Sequence, residues 1–204
     1  SVLKKNGKKR ISHQMDMLFT HFGISGPAAL RCSKFVYKEQ KNQKTQHISM
    51  AIDAFPELNH EQLKQHITSL LSDTPDKIIK NSLHGLIEER YLLFMLEQAG
   101  IDENTTSHHL SNQQLNDLVN MFKGFVFKVN GTLPIDKAFV TGGGVSLKEI
   151  QPKTMMSKLV PGLFLCGEVL DIHGYTGGYN ITSALVTGHV AGLYAGHYSH
   201  TSME

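Results

Sequence analysis

The sequence of 204 residues predicts an α+β protein that ends in an α/β segment. Three observations predict this class. Alternating apolar residues before residue 56 are typical of strands, and capped apolar stripes within residues 57–122 indicate helices. From Leu133 onward, short apolar runs alternate with glycine loops and end in a helix, a pattern typical of nucleotide-binding sheets.

The composition excludes several protein classes. Apolar residues make up 40% and charged residues 19%, which excludes a disordered tail and a collagen-like rod. The net charge of +2 is too small to indicate a polyanionic partner by itself. The charge is nevertheless uneven, because residues 1–50 carry 10 Lys/Arg and 2 Asp/Glu, whereas residues 51–204 carry 10 and 16.

Cysteine usage and hydropathy suggest a compartment. Cys32 and Cys166 are too few for a disulfide framework, so we expect a reducing, cytoplasmic environment. No apolar run reaches the ~20 residues that a membrane span needs. The chain opens on Ser1 and reads like the interior of a longer protein, so we expect a fragment.

Residues 1–56 are predicted to form mainly strands and turns. Asn6-Gly7 favours a type I′ hairpin, because both residues readily adopt positive φ. Apolar side chains alternate within His47–Phe55, as a half-buried strand requires. Between them, Ser25 or Gly26 can cap a helix that begins at Pro27, where the missing N–H costs nothing.

Residues 57–122 are predicted to contain four helices. Two of them begin with capping boxes, Asn59-x-x-Gln62 and Ser111-x-x-Gln114. A short helix is predicted to begin at Thr74-Pro75, and another is predicted over Leu86–Gln98, where Gly100 is a natural stop. Gly124–Val129 returns to a strand pattern. The simplest interpretation is that the helices are inserted into a β domain that residues 1–56 begin.

The remaining sequence carries the candidate chemistry. Phe139–Val145 is predicted as a strand that runs into three glycines, and Leu163–Cys166 as a strand buried on both faces. The second strand would end at Glu168, whose carboxylate can accept hydrogen bonds from a sugar diol. A simple strand-end turn and a helix-cap carboxylate would give the same patterns.

Several motifs in this region resemble one bacterial flavoprotein family. They are Thr141–Val145, Thr154–Phe164, Gly167–Asp171, Gly177–Asn180 and, earlier in the chain, Thr20–Pro27. Members of the family are described as NAD(FAD)-utilising dehydrogenases or aminoacetone-oxidase-like FAD-binding enzymes. More loosely, the order of motifs is similar to that of fumarate reductase and related flavoproteins.

The resemblance implies an architecture and an activity. It implies a β-barrel-like domain over residues 1–56 and 123–134, an inserted helical domain over 57–122, and the C-terminal half of a Rossmann-type FAD-binding domain over 135–204. The family's other half carries Gly-x-Gly-x-x-Gly, which this sequence lacks. We therefore expect part of an FAD-dependent oxidoreductase, inactive alone, with NAD(P)H as a possible electron donor.

The resemblance also implies roles for individual residues. Glu168 would bind the ribityl chain, and Gly167 and Asp171 would also belong to the cofactor-binding site. The pyrimidine edge of the flavin would be met by Gly177, Gly178, Tyr179, Asn180 and Ile181. Gly142, Gly143 and Gly144 would run beside the ring or the substrate.

No residue is an obvious acid–base catalyst, and His21 and His173 are the candidates for positions near a substrate. The twelve histidines show no metal-ligand spacing, so no metal site is expected. We expect a small-molecule substrate, no membrane or nucleic-acid partner, and a homodimer through an exposed sheet edge. Two alternatives stay open: a non-catalytic binding module that uses the basic residues 1–50, and a phosphate-ligand enzyme without flavin.

Overall fold

The computed structural model describes residues 1–176 and 178–201, which divide into two compact units. The first unit contains Ser1–Gln14 and Phe35–Gly131, and the second contains Met15–Lys34 and the residues from Thr132 onward. The strands are β1 (Val2–Leu3), β2 (Lys9–Ile11), β3 (Leu18–Thr20), β4 (Gly23–Ser25), β5 (Ile48–Ile52) and β6 (Phe125–Val129). The helices are α1 (Pro27–Gln43), α2 (His60–Ser72), α3 (Ile79–Ser82), α4 (Glu89–Gln98), α5 (Asn112–Gly124) and α6 (Tyr179–Thr201).

An antiparallel sheet with the order β2-β1-β5-β6 lies in the first unit. β5 and β6 pair along their full lengths, from Ile48 opposite Val129 to Ile52 opposite Phe125. The strands predicted within 47–55 and 124–129 are therefore confirmed. The described residues show no closed barrel, because four strands of two to five residues are too few and too short to close a sheet on itself.

The turn between β1 and β2 differs from the predicted type I′ turn. Gly7 has a φ of 76°, but Asn6 is not among the described residues with positive φ, and a type I′ turn needs both. The Asn6 side chain instead accepts a hydrogen bond from Lys8 N at 3.1 Å, which holds its own backbone in an Asx-type turn. The hairpin is confirmed, with a register shift between Val2 and Leu3.

Helices α2 to α5 surround the main apolar core of the first unit. Both predicted capping boxes are present: Asn59 Oδ1 accepts from Gln62 N at 2.9 Å, and Ser111 Oγ accepts from Gln114 N at 3.2 Å. The helices contribute fully or almost fully buried side chains to the core: Leu63, Ile67, Ile79, Leu83, Leu92, Met95, Leu96, Leu115, Leu118, Val119 and Phe122.

The short helix predicted at Thr74-Pro75 begins later than expected, at Ile79. Thr74 follows the end of α2, and its Oγ1 donates back to Leu70 O in the last turn of that helix at 3.0 Å. Its carbonyl then accepts from Lys77 N at 3.2 Å in a turn that precedes the helix. A proline after a polar residue fits a turn as well as a helix start, so the sequence alone did not separate the two.

The second unit contains the β3–β4 hairpin and the C-terminal residues. The strands predicted at Phe139–Val145 and Leu163–Cys166 are wrong, since the described residues there form only isolated bridges, such as Val145 with Leu170. Leu163 is 42% exposed rather than buried on both faces. An apolar run becomes a strand only when another backbone pairs with it, so the described residues show no Rossmann half. The homodimer through an exposed sheet edge stays a prediction.

The helix predicted at the end of the glycine-rich pattern is confirmed as α6, which is 23 residues long. Ala191 packs into a small core with Ile150 and Leu170, whereas Ile181 and Leu185 are exposed. No helix of the described residues is both long enough and apolar enough to cross a membrane.

The two cysteines should react at different rates. Cys32 is 3% exposed, and burial raises the pKa of its thiol, whereas Cys166 is exposed. Because the thiolate is the nucleophile, we expect iodoacetamide to alkylate Cys166 at least about tenfold faster than Cys32. Peptide mass spectrometry over a time course measures both rates, with Cys166→Ser as the control that leaves only the slow reaction. Equal rates would contradict the burial of Cys32.

Candidate functional site

The glycine loop and the Gly167–Asp171 segment lie side by side in the second unit. Val145 N donates to Val169 O at 2.8 Å, and Asp171 N donates to Val145 O at 3.0 Å. Leu170, at the centre of this parallel bridge, is 1% exposed and anchors the pair in the small core. The glycine loop and the Gly167–Asp171 motif, which the sequence analysis identified separately, are therefore joined by backbone hydrogen bonds.

Each glycine of the loop has a different environment. A Cβ on Gly144, whose φ is 143°, would lie 2.4 Å from Val169 O, so only glycine fits the bridge. A Cβ on Gly142 would lie 3.3 Å from Cδ2 of His173. A Cβ on Gly143 would meet nothing within 4 Å. Gly142 and Gly144 thus pack against protein, and Gly143 leaves its backbone open to a ligand.

Gly167 and Glu168 lie on a short 3-10 helix, Gly167–Val169, that contacts α6. Gly167 N donates to Thr187 Oγ1 at 3.0 Å, and its φ is 70°. Glu168 is exposed, so its carboxylate is accessible to a ligand hydroxyl. The predicted position at the end of a buried strand is wrong, since no strand precedes it, but the carboxylate still faces solvent beside α6.

The N-terminus of α6 presents backbone donors. Gly178 O accepts the hydrogen bond from Thr182 N at 2.9 Å, so the N–H groups of Tyr179, Asn180 and Ile181 have no helical carbonyl to bind. Tyr179 and Ile181 are exposed, and a Cβ on Gly178 would meet open space. Gly177, which the resemblance also placed here, lies outside the described residues.

Asn180 has a structural task in this arrangement. Its Oδ1 accepts from Gly174 N at 2.8 Å, and its Nδ2 donates to Gly174 O at 3.4 Å. The side chain thereby fixes the loop that follows His173 to the start of α6. Its two hydrogen bonds to Gly174 give Asn180 a positioning role, and the place near the flavin that the resemblance implies for it stays a prediction.

His173 lies between the glycine loop and a cation. Lys34 Nζ is 2.7 Å from His173 Nδ1, and an ammonium group can only donate, so Nδ1 accepts and the ring proton is on Nε2. Nε2 lies 4.0 Å from Asp171 Oδ1. Asp171 is therefore placed beside the histidine as well as within the Gly167–Asp171 motif.

Arg31 and Lys34 are functional candidates that the sequence reasoning missed. Arg31 Nε donates to Thr176 Oγ1 at 3.3 Å, and the guanidinium carbon lies 5.1 Å from the ring centroid of Tyr175. The two cations are three residues apart on α1 and so share one helix side. That spacing is visible in the sequence, but their partners are about 140 residues away and no local pattern reveals them.

His21 lies at the tip of the β3–β4 hairpin. Its ring packs edge-on against Phe22, with the centroids 5.0 Å apart, and the residue is exposed. This contact is local to the hairpin, so the structure offers less support for His21 as a substrate contact than for His173.

The described residues fit one end of a flavin. Gly143 and Gly178 leave open backbone, Glu168 offers an acceptor for ribityl hydroxyls, and the N-terminus of α6 offers donors to a polar ring edge. The sequence has no Gly-x-Gly-x-x-Gly turn to hold the pyrophosphate. The fit therefore extends to the ring and the ribityl chain and not to the adenine end.

Comparison with known proteins identifies relatives that are named as reductases or dihydrouridine synthases. The chain is 36% identical over 177 residues to the ribosomal RNA dihydrouridine synthase of Haemophilus influenzae, covering 87% of this chain and 41% of that protein. It is 31% identical over 180 residues to the 3-dehydro-bile acid delta(4,6)-reductase of Clostridium scindens, covering 88% and 44%. The ribosomal RNA dihydrouridine synthase of Escherichia coli is 32% identical over 165 residues, with 81% and 38% covered.

The chain thus spans about two fifths of the length of these curated relatives. The family described as "HI0933-like protein barrel and H2TH domain" matches residues 1–140, which is more than half of the 204 residues. This protein belongs to the HI0933-like family.

Proposed function

We propose that this chain forms the ring-facing part of a flavin-dependent reductase that adds hydrogen across a carbon–carbon double bond conjugated to a carbonyl group. The observation that carries the proposal is the parallel bridge between Val145 and Leu170. It joins the glycine loop to the segment with Glu168 and His173, and Asn180 ties that segment to the N-terminus of α6.

The names of the relatives support this reaction class. Dihydrouridine is uridine with its C5–C6 double bond reduced, and that bond is conjugated to the C4 carbonyl. A 3-dehydro-bile acid carries a 3-oxo group, and reduction at positions 4 and 6 again removes double bonds conjugated to it. Two substrates of different size therefore share one reacting group, which a common flavin site could serve.

The chain's residues would have distinct tasks in such a site. A bound flavin supplies the hydride chemistry, with NAD(P)H as the proposed source of electrons. Glu168 accepts hydrogen bonds from ribityl hydroxyls. The N–H groups and positive dipole end of α6 stabilise negative charge at the pyrimidine edge of the ring. His173 holds a proton on Nε2, and Lys34, Asp171 and the Gly142 backbone position its imidazole.

A paired substrate assay tests the reaction class. The full-length protein that contains this chain is loaded with flavin and mixed with NADPH and either a ribosomal RNA fragment or a 3-oxo steroid diene. Mass spectrometry of the products should show a gain of two hydrogens in at least one of them. Protein that carries no flavin, or that leaves both substrates unchanged, would contradict the proposal.

Replacing Glu168 with alanine should weaken flavin binding about ten- to hundredfold. A charged acceptor of a sugar hydroxyl is worth about 1.5–3 kcal/mol, which gives this range. Flavin retention during gel filtration measures the change. Glu149→Ala is the matched control, because Glu149 is also exposed on a 3-10 helix of the second unit. Equal retention in both variants would show that Glu168 does not contact the flavin.

A further inference from the structure

Seven exposed lysines of the first unit lie on a hairpin and at the end of one helix. Four flank the turn between β1 and β2, two lie on the second half of α1, and one directly follows that helix: Lys4, Lys5, Lys8, Lys9, Lys38, Lys41 and Lys44. We propose that this lysine surface binds the phosphate backbone of RNA. The inference rests on the proposed function, since it names the substrate class that the reductase would hold.

Charge in the first unit is separated along the chain. Residues 1–14 and 35–47 carry eight Lys/Arg and one Asp/Glu, whereas residues 48–131 carry six and eleven. The single acid of the basic part, Glu39, is 5% exposed and pairs with Arg10 at 3.3 Å. In the described part of the chain, none of the seven lysines takes part in an ion pair. Their charge therefore faces solvent without compensation.

The fold brings the two groups of lysines onto adjoining elements. The tight turn over Lys4–Gly7 keeps the four hairpin lysines within a few residues of one another. The Arg10–Glu39 ion pair ties β2 to the second half of α1. On α1, Val36 and Glu39 are buried while Lys38 and Lys41 are exposed, so these lysines lie on the outer side of the helix.

An exposed aromatic side chain lies among the lysines of α1. Tyr37 is 54% exposed, and Lys41 Nζ lies 4.9 Å from its ring centroid. Exposed aromatic rings between cations are platforms on which single-stranded bases stack. Tyr37 thus places such a ring among the exposed lysines, although the sequence led us to expect no nucleic-acid partner.

RNA accounts for this surface better than a small substrate does. A steroid or another small molecule is held by a few convergent groups in a pocket, and seven exposed lysines add nothing to such binding. Two relatives, at 36% and 32% identity, are named for a reaction on ribosomal RNA. A long polyanion needs contacts outside the catalytic site, and phosphates take them from exposed lysines.

The test is fluorescence anisotropy of a labelled, uridine-rich single-stranded RNA titrated with the full chain at several salt concentrations. The variant carries Lys4→Gln, Lys5→Gln, Lys8→Gln and Lys9→Gln together. The control loses the same charge through Lys77→Gln, Lys137→Gln, Lys148→Gln and Lys153→Gln, all at exposed positions. Circular dichroism melting shows whether each variant folds like the parent chain.

We expect the hairpin variant to bind at least about tenfold more weakly, with the slope of log affinity against log salt smaller by about 3, from about 0.7 per lost phosphate contact. The control should keep both values. Tyr37→Ala should weaken binding about fivefold or more with an unchanged slope, because stacking releases no counterions.

Two outcomes would overturn the proposal: a hairpin variant that binds RNA as the control does, or a parent chain that binds phosphatidylserine vesicles but no RNA. A protein that binds RNA through these lysines but carries no flavin would contradict the proposed reductase function and support the RNA-binding surface. A flavin-loaded reductase whose RNA binding is unchanged by the four substitutions would contradict the RNA-binding surface alone.

Discussion

Turnover of the flavin-loaded protein should fall about 10²–10⁴-fold when His173 is replaced by glutamine. Reduction of a conjugated double bond needs a proton at one carbon as hydride arrives at the other. Lys34 Nζ lies 2.7 Å from His173 Nδ1, and an ammonium group can only donate, so this contact assigns the transferable proton to Nε2. Glutamine keeps a hydrogen-bond donor at that place but cannot give up a proton.

Steady-state kinetics with separate values of kcat and KM measure the effect. We expect kcat to fall while KM stays the same, since glutamine keeps a polar side chain with a hydrogen-bond donor at this position. His189→Gln on the exposed side of α6 is the control. A His173→Gln protein with full turnover would assign the proton to another group or to water.

Replacing Phe122 with alanine should lower the free energy of unfolding of the first unit by about 3–5 kcal/mol. The side chain is 0% exposed and lies in the core among α2 to α5. Its ring packs edge-on against Phe55, with the centroids 5.3 Å apart, and against Tyr91 at 6.5 Å. Truncation removes these contacts and leaves a cavity that the surrounding helices cannot fill.

Urea denaturation followed by far-ultraviolet circular dichroism measures this loss, since α2, α4 and α5 supply much of the signal. Phe94→Ala is the matched control, because Phe94 lies on α4 of the same core and is 39% exposed. We expect the control to lose less than half as much stability. Equal losses would contradict the packing described for Phe122.

Sequence patterns predicted the helices and the paired strands well, because their signals are local. A capping box needs only residues three apart, so Asn59 and Ser111 could be identified without any tertiary information. The alternation in β5 likewise reports burial that one face of a single sheet imposes.

The patterns failed where a structure depends on distant backbone. Leu163–Cys166 has the composition of a buried strand, but a strand forms only beside a partner, and the described residues pair just Phe164 with Met156. The positive φ predicted for Asn6 failed more locally, through its own side chain and Lys8 N. The three consecutive glycines marked this loop, but nothing local in the sequence identifies Val169 as the neighbour that requires a glycine at position 144.

For the candidate site, the sequence identified most residues and few of their contacts. Gly142, Glu168 and His173 were all singled out, and the structure joins their segments through one bridge. Arg31 and Lys34 were missed because their hydrogen-bond partners lie about 140 residues away in the sequence, and such distant pairs produce no periodic sequence pattern. The cofactor roles of these residues and the domain boundaries stay predictions.

The separation of charge within the first unit has a kinetic consequence. Residues 1–14 and 35–47 carry eight cations and one acid, whereas residues 48–131 carry six cations and eleven acids, and such an uneven distribution generates an electric dipole where the two sets lie apart. A dipole orients a molecule before contact, so a polyanion would meet the lysine surface more often than chance encounters allow, and the association rate would rise. Because the Debye length shrinks from about 10 Å at 0.1 M salt to about 3 Å at 1 M, this advantage disappears with added salt even where the contacts themselves persist.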